Sequence, residues 1–187
     1  VAARPEMVTA GPFEVQFVPV AHSVPESSAL IIDTPLGRIV HTGDFKTDQS
    51  PIVGEAWSPT AFAEIAAEKP ILALMCDSTN VFSTHEGRSE ATLRAPLQEL
   101  IANARGMVVA TTFASNVARL KTLAEAACGA DRSVCLLGRA MRRMVSAAQE
   151  AGVLTDFPPL VSPEQAQDVP RGSLMLLVTG SQGERRA

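Results

Sequence analysis

Histidine is scarce in this chain, with three among 187 residues: His22, His41 and His85. Any metal centre drawn from these residues has only those scattered imidazoles to use. Cysteine is equally sparse, and Cys76, Cys128 and Cys135 include no C-x-x-C pair. An odd set without ligand spacing argues against a disulfide framework or a zinc knuckle, and for small buried hydrophobes in a reducing cytoplasm. No stretch approaches the roughly 18 uninterrupted apolar residues of a membrane span, and no signal peptide opens the chain. The expectation is therefore a cytoplasmic protein with no membrane partner. Positive charge is not in excess either. Sixteen basic against 20 acidic residues leave a net charge of −4, which excludes bulk neutralisation of a polyanion. The tight basic groupings are Arg139, Arg142, Arg143 and Arg185, Arg186. Such clusters are most often solvated faces, and a local basic cleft stays open. What is present is apolar content, 46% of the chain, enough for one ordinary domain or two partial ones and too much for disorder.

Hydrophobic patterning divides the chain in two. Residues 13–20 (FEVQFVPV) alternate as a half-buried strand does. Residues 29–33 and 38–41 are short β-rich runs separated by Thr34-Pro35-Leu36-Gly37, a hairpin turn. Ser58-Pro59 opens a helix with Phe62, Ile65 and Ala66 on one face and Pro70 beyond its end. The continuous apolar run 71–75 (ILALM) predicts a strand buried on both faces. A polar loop covers 81–88, and a helix runs from Ser89-Glu90 toward Arg105, kinked or delayed by Pro96. Strands at 107–112, 133–137 and 174–178 then alternate with helices at 115–127 and 139–151. That rhythm predicts a parallel, right-handed α/β unit. The expected fold class is α/β, hairpin-rich over residues 1–85 and Rossmann-like over 86–187, without internal repeat or flexible linker.

Residues suited to chemistry lie where strands end. His22 follows the first strand and precedes a Pro-stiffened turn; a lone histidine of this kind is more often a hydrogen-bonded structural residue. Asp44, in His41-Thr42-Gly43-Asp44, either stabilises its own turn or bridges cations, and Gly43 lets the backbone approach something closely. His41 reads as a strand residue. Asp77 directly follows the apolar run, where a buried carboxylate must be paired or hydrogen-bonded. Catalytic groups of α/β folds gather at such carboxyl ends, and three ends carrying His22, Asp44 and Asp77 point together to a metal site. In the second half, Ser115 and Asn116 either cap a helix or leave amides free for an anion. Thr179 to Glu184 (TGSQGE) offers Ser181 and Gln182 between glycines, a shape suited to phosphate, without the Gly-Lys-Ser/Thr of a Walker loop.

Six stretches occur in one order along nearly the whole chain: HSVPESS at 22–28, HTGDFK at 41–46, CDSTN at 76–80, TTFASNVARL at 111–120, LGRAM at 137–141 and TGSQGE at 179–184. With them the chain resembles ribonuclease J, of the β-CASP branch of the metallo-β-lactamase superfamily. The resemblance implies part of an αββα metallo-β-lactamase sandwich followed by part of a β-CASP domain. It implies a two-metal nuclease that uses zinc, with Mn2+ or Mg2+ as alternatives. Such an enzyme cuts RNA phosphodiesters internally and from a 5′-monophosphate end, with two cations about 3.5–4 Å apart activating a bridging hydroxide. By residue, the resemblance makes His22 a metal ligand, Asp44 the metal-bridging carboxylate and Asp77 a catalytic-site carboxylate supporting the metals. Ser115, Asn116, Ser181 and Gln182 face RNA phosphates. It further implies a homodimer or homotetramer of the full-length protein. The family's His-x-His-x-Asp-His string is absent from these residues, so the expectation is an internal fragment, inactive alone, with that string upstream and later histidines downstream. His41 and His85 receive no role. Two other readings stand beside this one: a non-catalytic RNA-binding or scaffold paralogue, and a β-CASP nuclease acting on DNA.

Overall fold

The computed structural model describes residues 7–85 and 87–179. In sequence, the main boundary between two compact units falls between Arg88 and Ser89. The fold is mixed α/β, with a parallel sheet in the second unit.

The first unit holds a five-stranded sheet in chain order. Its strands are β1 (Met7–Ala10), β2 (Phe13–Pro19), β3 (Ser28–Thr34), β4 (Gly37–His41) and β5 (Ile71–Met75), with helix α1 (Pro59–Glu68) between the last two. The first three pairings are antiparallel and β4 pairs with β5 in parallel. Strand β1, joined to β2 through Gly11 in the left-handed region (φ 61°), is an element the alternation did not announce. The Thr34–Gly37 turn closes as expected, the Thr34 hydroxyl donating to the Gly37 carbonyl at 2.8 Å. Helix α1 starts as its sequence dictates. Ser58 Oγ accepts from the Ala61 amide, and Pro59 occupies the first turn, where its missing N–H costs nothing.

Alternation in β2, β3 and β4 turns Val18, Val20, Ala29, Ile31 and Val40 into one core, against which Phe45, Trp57, Phe62 and Ile65 pack. Trp57 stacks between Phe45 (5.1 Å) and Phe62 (4.7 Å), so the 44–57 loop and α1 share this core. Arg38 is buried beside it and forks onto Asp33 (2.8 and 2.9 Å), while Nη1 donates to Glu68 and to the Ile65 carbonyl, both at 3.0 Å. That bidentate partner holds the Asp33 carboxyl below its ordinary range.

The expectation for 71–75 requires correction. The strand forms, but β5 is the sheet's edge and its side chains are exposed, Leu72 at 62% and Leu74 at 61%. A continuous apolar run announces a strand; its burial depends on neighbours that the described residues do not supply on the outer side.

The second unit is the strand–helix alternation. Strands β6 (Val108–Thr111), β7 (Ser133–Leu137) and β8 (Leu174–Val178) form a parallel sheet in the order β6-β8-β7. Helices α2 (Arg94–Ala102), α3 (Val117–Cys128) and α4 (Arg139–Glu150) accompany them. Pro96 sits in the first turn of α2, after a 3-10 turn at Glu90–Thr92, so it delays the helix and does not kink it. Val117, Leu120, Val134, Cys135, Met141, Val145, Met175 and Leu177 are buried. Arg132 is buried too, and its guanidinium donates to the carbonyls of Ala104 and Gly106. The cysteines are free: Cys135 is buried as expected, Cys128 is half-buried, and Cys76 is exposed, so it is not a core hydrophobe. Among the described residues, no helix is long and apolar enough to cross a membrane.

Candidate functional site

Two groups of residues sit at strand carboxyl ends, one in each unit. In the first unit β2, β4 and β5 run in the same direction, so the segments following them emerge at one edge of the sheet. Two backbone features gather those segments. The Lys46 amide donates to the Ala21 carbonyl at 2.7 Å, closing a bridge between the 21–22 and 44–46 stretches. Gly43 takes φ 60°, and a Cβ there would lie 3.1 Å from the Ser28 carbonyl oxygen. The close approach inferred for Gly43 is thus to backbone, and only glycine meets both demands without strain.

This folding brings His22 Nε2 to 4.0 Å from Asp44 Oδ2. The imidazole is mostly shielded (22% exposed) and the carboxylate open to solvent (79%). Among the described residues no hydrogen bond ties the Asp44 side chain to its own turn, and the Asx role considered for it belongs to Asp77. Asp77 Oδ1 accepts from the Thr79 hydroxyl (2.6 Å) and the Thr79 amide (2.9 Å). The Thr79 hydroxyl, then its amide, pull the Asp77 carboxyl below the ordinary carboxylate range, with smaller help from the Phe45 amide and the charge of His22. Asp77 is therefore held ionised near the His22–Asp44 pair.

Thr42 is the residue that sequence reasoning passed over. It is buried, its amide donates to the Met75 carbonyl (2.9 Å), and its hydroxyl accepts from the Asp77 amide (3.0 Å) while donating to the Gly43 carbonyl (2.8 Å). One side chain thus joins the ends of β4 and β5 and sets the backbone on which Asp44 and Asp77 sit. A signal existed: Arg38 and Val40 face inward, and the same period of two continues to Thr42. His41 points the other way, exposed, with Nδ1 accepting from the Gly43 amide at 3.0 Å. His85 is exposed on the polar loop, where its backbone pairs with Ser83.

The donor chemistry of His22 and Asp44, one imidazole and one carboxylate, suits a borderline-soft divalent cation such as zinc. Their number is half of a four-coordinate set, and among the described residues no group of three or more His, Cys, Asp or Glu donors converges. To hold a metal ion, the pair would need further ligands from other residues.

In the second unit, the Thr112 amide donates to the Val178 carbonyl at 3.2 Å, joining the ends of β6 and β8. Asn116 caps α3, its Oδ1 accepting from the Arg119 amide at 3.0 Å. The Val117 amide donates to the Ser115 carbonyl (3.0 Å) and the Leu120 amide to that of Asn116 (3.0 Å). Of the two readings open for this turn, capping is the one observed for Asn116, and the half-buried Ser115 stands beside it at the same edge. Arg119 turns back onto Glu90, pairing with it through Nε and Nη2, and so braces α3 against the 3-10 turn. Ser181 and Gln182 lie outside the described residues.

The sequence model of the family described as the ribonuclease J β-CASP domain matches residues 105–187. The chain is similar to the ribonuclease J of Sinorhizobium meliloti, with 42% identity over 97% of this chain and 32% of that protein. It is also similar to the ribonucleases J of Corynebacterium glutamicum (36% identity, 95% of this chain, 25% of that one) and Thermus thermophilus (37%, 92% and 30%). The chain thus spans between about a quarter and a third of the length of these relatives. A crystal structure described as a protein of unknown function from Enterococcus faecalis V583 shares the fold. Its TM-score is 0.64 at 19% identity, covering 95% of this chain and 44% of that one.

Proposed function

For a chain that belongs to the ribonuclease J family, we propose that the protein carrying it is a metal-dependent ribonuclease. It hydrolyses RNA phosphodiester bonds internally and processively from a 5′-monophosphate end. The observation that carries this reading is the meeting of His22 and Asp44 at 4.0 Å on the edge where Asp77 is held ionised, in a chain similar to three ribonucleases J over 92 to 97% of its length.

Divalent cations, when bound, supply Lewis acidity toward the scissile phosphate and lower the pKa of water. Zinc fits the donors best, with Mn2+ or Mg2+ as substitutes. His22 and Asp44 would hold them, the carboxylate standing open to solvent. Asp77 contributes a fixed negative charge, oriented by Thr79 and Thr42, that strengthens cation binding without surrendering its own hydrogen bonds. Ser115 and Asn116 would meet RNA phosphates, a role the family resemblance also assigns to Ser181 and Gln182. The first domain of this reading covers residues 1–85 and the β-CASP part 86–187. The whole protein is a cytoplasmic homodimer or homotetramer.

The test uses the intact protein with 5′-monophosphorylated RNA and DNA of the same sequence, before and after chelation. RNA should be cut, cutting should stop on chelation, and zinc or manganese should restore it. Cleavage that survives chelation, or that favours DNA, overturns the reading.

A further inference from the structure

The one basic grouping within the described residues that the proposed site leaves unused is Arg139, Arg142 and Arg143. All three are exposed on α4, at i, i+3 and i+4, so they share one face and one turn. The opposite face buries Met141, Val145 and Ala148, which fixes the direction of the arginine face. The helix begins at the carboxyl edge of the parallel sheet: Gly138 takes φ 127°, and a Cβ there would meet Thr179 Cγ2 at 3.2 Å. The arginines therefore leave the same edge on which Ser115 and Asn116 stand.

Their placement contradicts what helix stability alone would select. The first turn of a helix favours carboxylates, because the amide dipoles leave it positive. Here that turn has no acidic residue and no side-chain cap, and three cations occupy the first five positions. No described carboxylate lies within 4.0 Å of them; the opposing charge that senses Arg142 is that of the exposed Glu164. Three other arginines of this unit are engaged, Arg119 with Glu90, Arg132 with backbone carbonyls and Arg94 with Glu125, whereas Arg105 and Arg171 are exposed but stand singly, outside any basic grouping. A cluster of +3 left unpaired, against its own helix dipole and in a chain of net −4, is arranged for an external anion. Local rules are broken at sites that function requires.

We propose that Arg139, Arg142 and Arg143 form a strip that follows the phosphates of single-stranded RNA away from the β-CASP edge. The inference rests on the ribonuclease reading and adds to it the residues that hold the strand beyond the reacting bond. Guanidiniums matched to phosphate oxygens give each contact a fork geometry. The three are at helical spacing, about 5–6 Å between neighbouring Cβ atoms, close enough to serve successive phosphates.

The experiment measures equilibrium binding of a 5′-monophosphorylated single-stranded RNA to the intact protein across a salt series. Wild type is compared with the triple variant Arg139→Gln, Arg142→Gln, Arg143→Gln and with the triple Lys variant. Each phosphate contact contributes about 0.7 to the slope of log affinity against log salt for single strands, so three lost contacts should flatten it by roughly 2. Affinity at low salt should fall roughly tenfold or more. The Lys variant should keep the slope, and KM for RNA should rise in the Gln variant while kcat holds. The Gln variant should unfold at the wild-type temperature or above, since it relieves the dipole conflict; a lowered midpoint with unchanged RNA binding would make the cluster structural and overturn the proposal. An unchanged salt slope in a folded Gln variant overturns it as well. A wild type that binds this RNA but fails to cut it leaves the strip supported and sinks the nuclease reading instead.

Discussion

At the residue scale, Thr42 decides more than its size suggests. Its hydroxyl is the acceptor for the Asp77 amide, and among the described residues it is the side chain that joins the ends of β4 and β5. Thr42→Val keeps the shape and deletes the acceptor, leaving that amide unpaired, at an expected cost of about 1–3 kcal/mol. Chemical denaturation measures the cost, and an unchanged midpoint would remove Thr42 from the account. Asp77 yields a pH prediction. Its folded pKa is lowered by the Thr79 hydroxyl and amide, so its ionised form contributes stability above the unfolded carboxylate value, and that contribution is lost as pH falls through the folded value. Asp77→Asn keeps an acceptor for Thr79 but not the charge. Its unfolding midpoint should lie below wild type at neutral pH and converge with it in acid; a constant gap would show that the charge is irrelevant.

Individual side chains were unevenly legible. His22, Asp44 and Asp77 stood out because each follows a strand, and the structure places all three on one edge. Which carboxylate serves its own turn was not readable, since Asp44 and Asp77 occupy similar contexts. The answer depended on Thr79, two residues beyond Asp77, having both a hydroxyl and an amide in reach. Glu90 and Arg119, 29 residues apart, meet only once α3 packs beside the 3-10 turn, and no local pattern encodes that.

At the scale of elements, strand and helix positions followed from period and punctuation. β7 and β8 fall at 133–137 and 174–178 as read, and Ser58-Pro59 starts α1. β5 shows the limit of such reasoning, because apolar content specifies a strand and not its cover. An exposed apolar edge with one side unpaired by any described strand favours self-association. The 187-residue chain should therefore associate in sedimentation experiments, and Leu74→Lys should reduce this while changing stability by less than about 0.5 kcal/mol. Ile31→Ala, in the core at 2% exposure, should cost about 2–5 kcal/mol. Comparable costs for the two would refute the assigned cover. The turn after β4 makes a sharper demand. Gly43→Ala forces a side chain onto φ 60° and within 3.1 Å of the Ser28 oxygen, and should lose about 1–2 kcal/mol together with the His22–Asp44 approach.

For the whole molecule, a net charge of −4 first spoke against nucleic acid, and the distribution of that charge alters the inference. Several positive groups within the second unit are paired or buried, and the one tight basic grouping among its described residues lies on one turn of α4. The scarcity of histidine changes meaning in the same way. One imidazole of three meets a carboxylate at 4.0 Å, and two donors would be only part of the proposed centre in a chain that spans 25 to 32% of those ribonucleases J. Everything in the functional account passes through that pair. The most direct test is cleavage of 5′-monophosphorylated RNA by the intact protein and its Asp44→Ala variant, at matched folding and metal concentration. The account predicts a loss of at least about 100-fold, as expected when a metal-holding group is removed. Equal rates for the two proteins would contradict it.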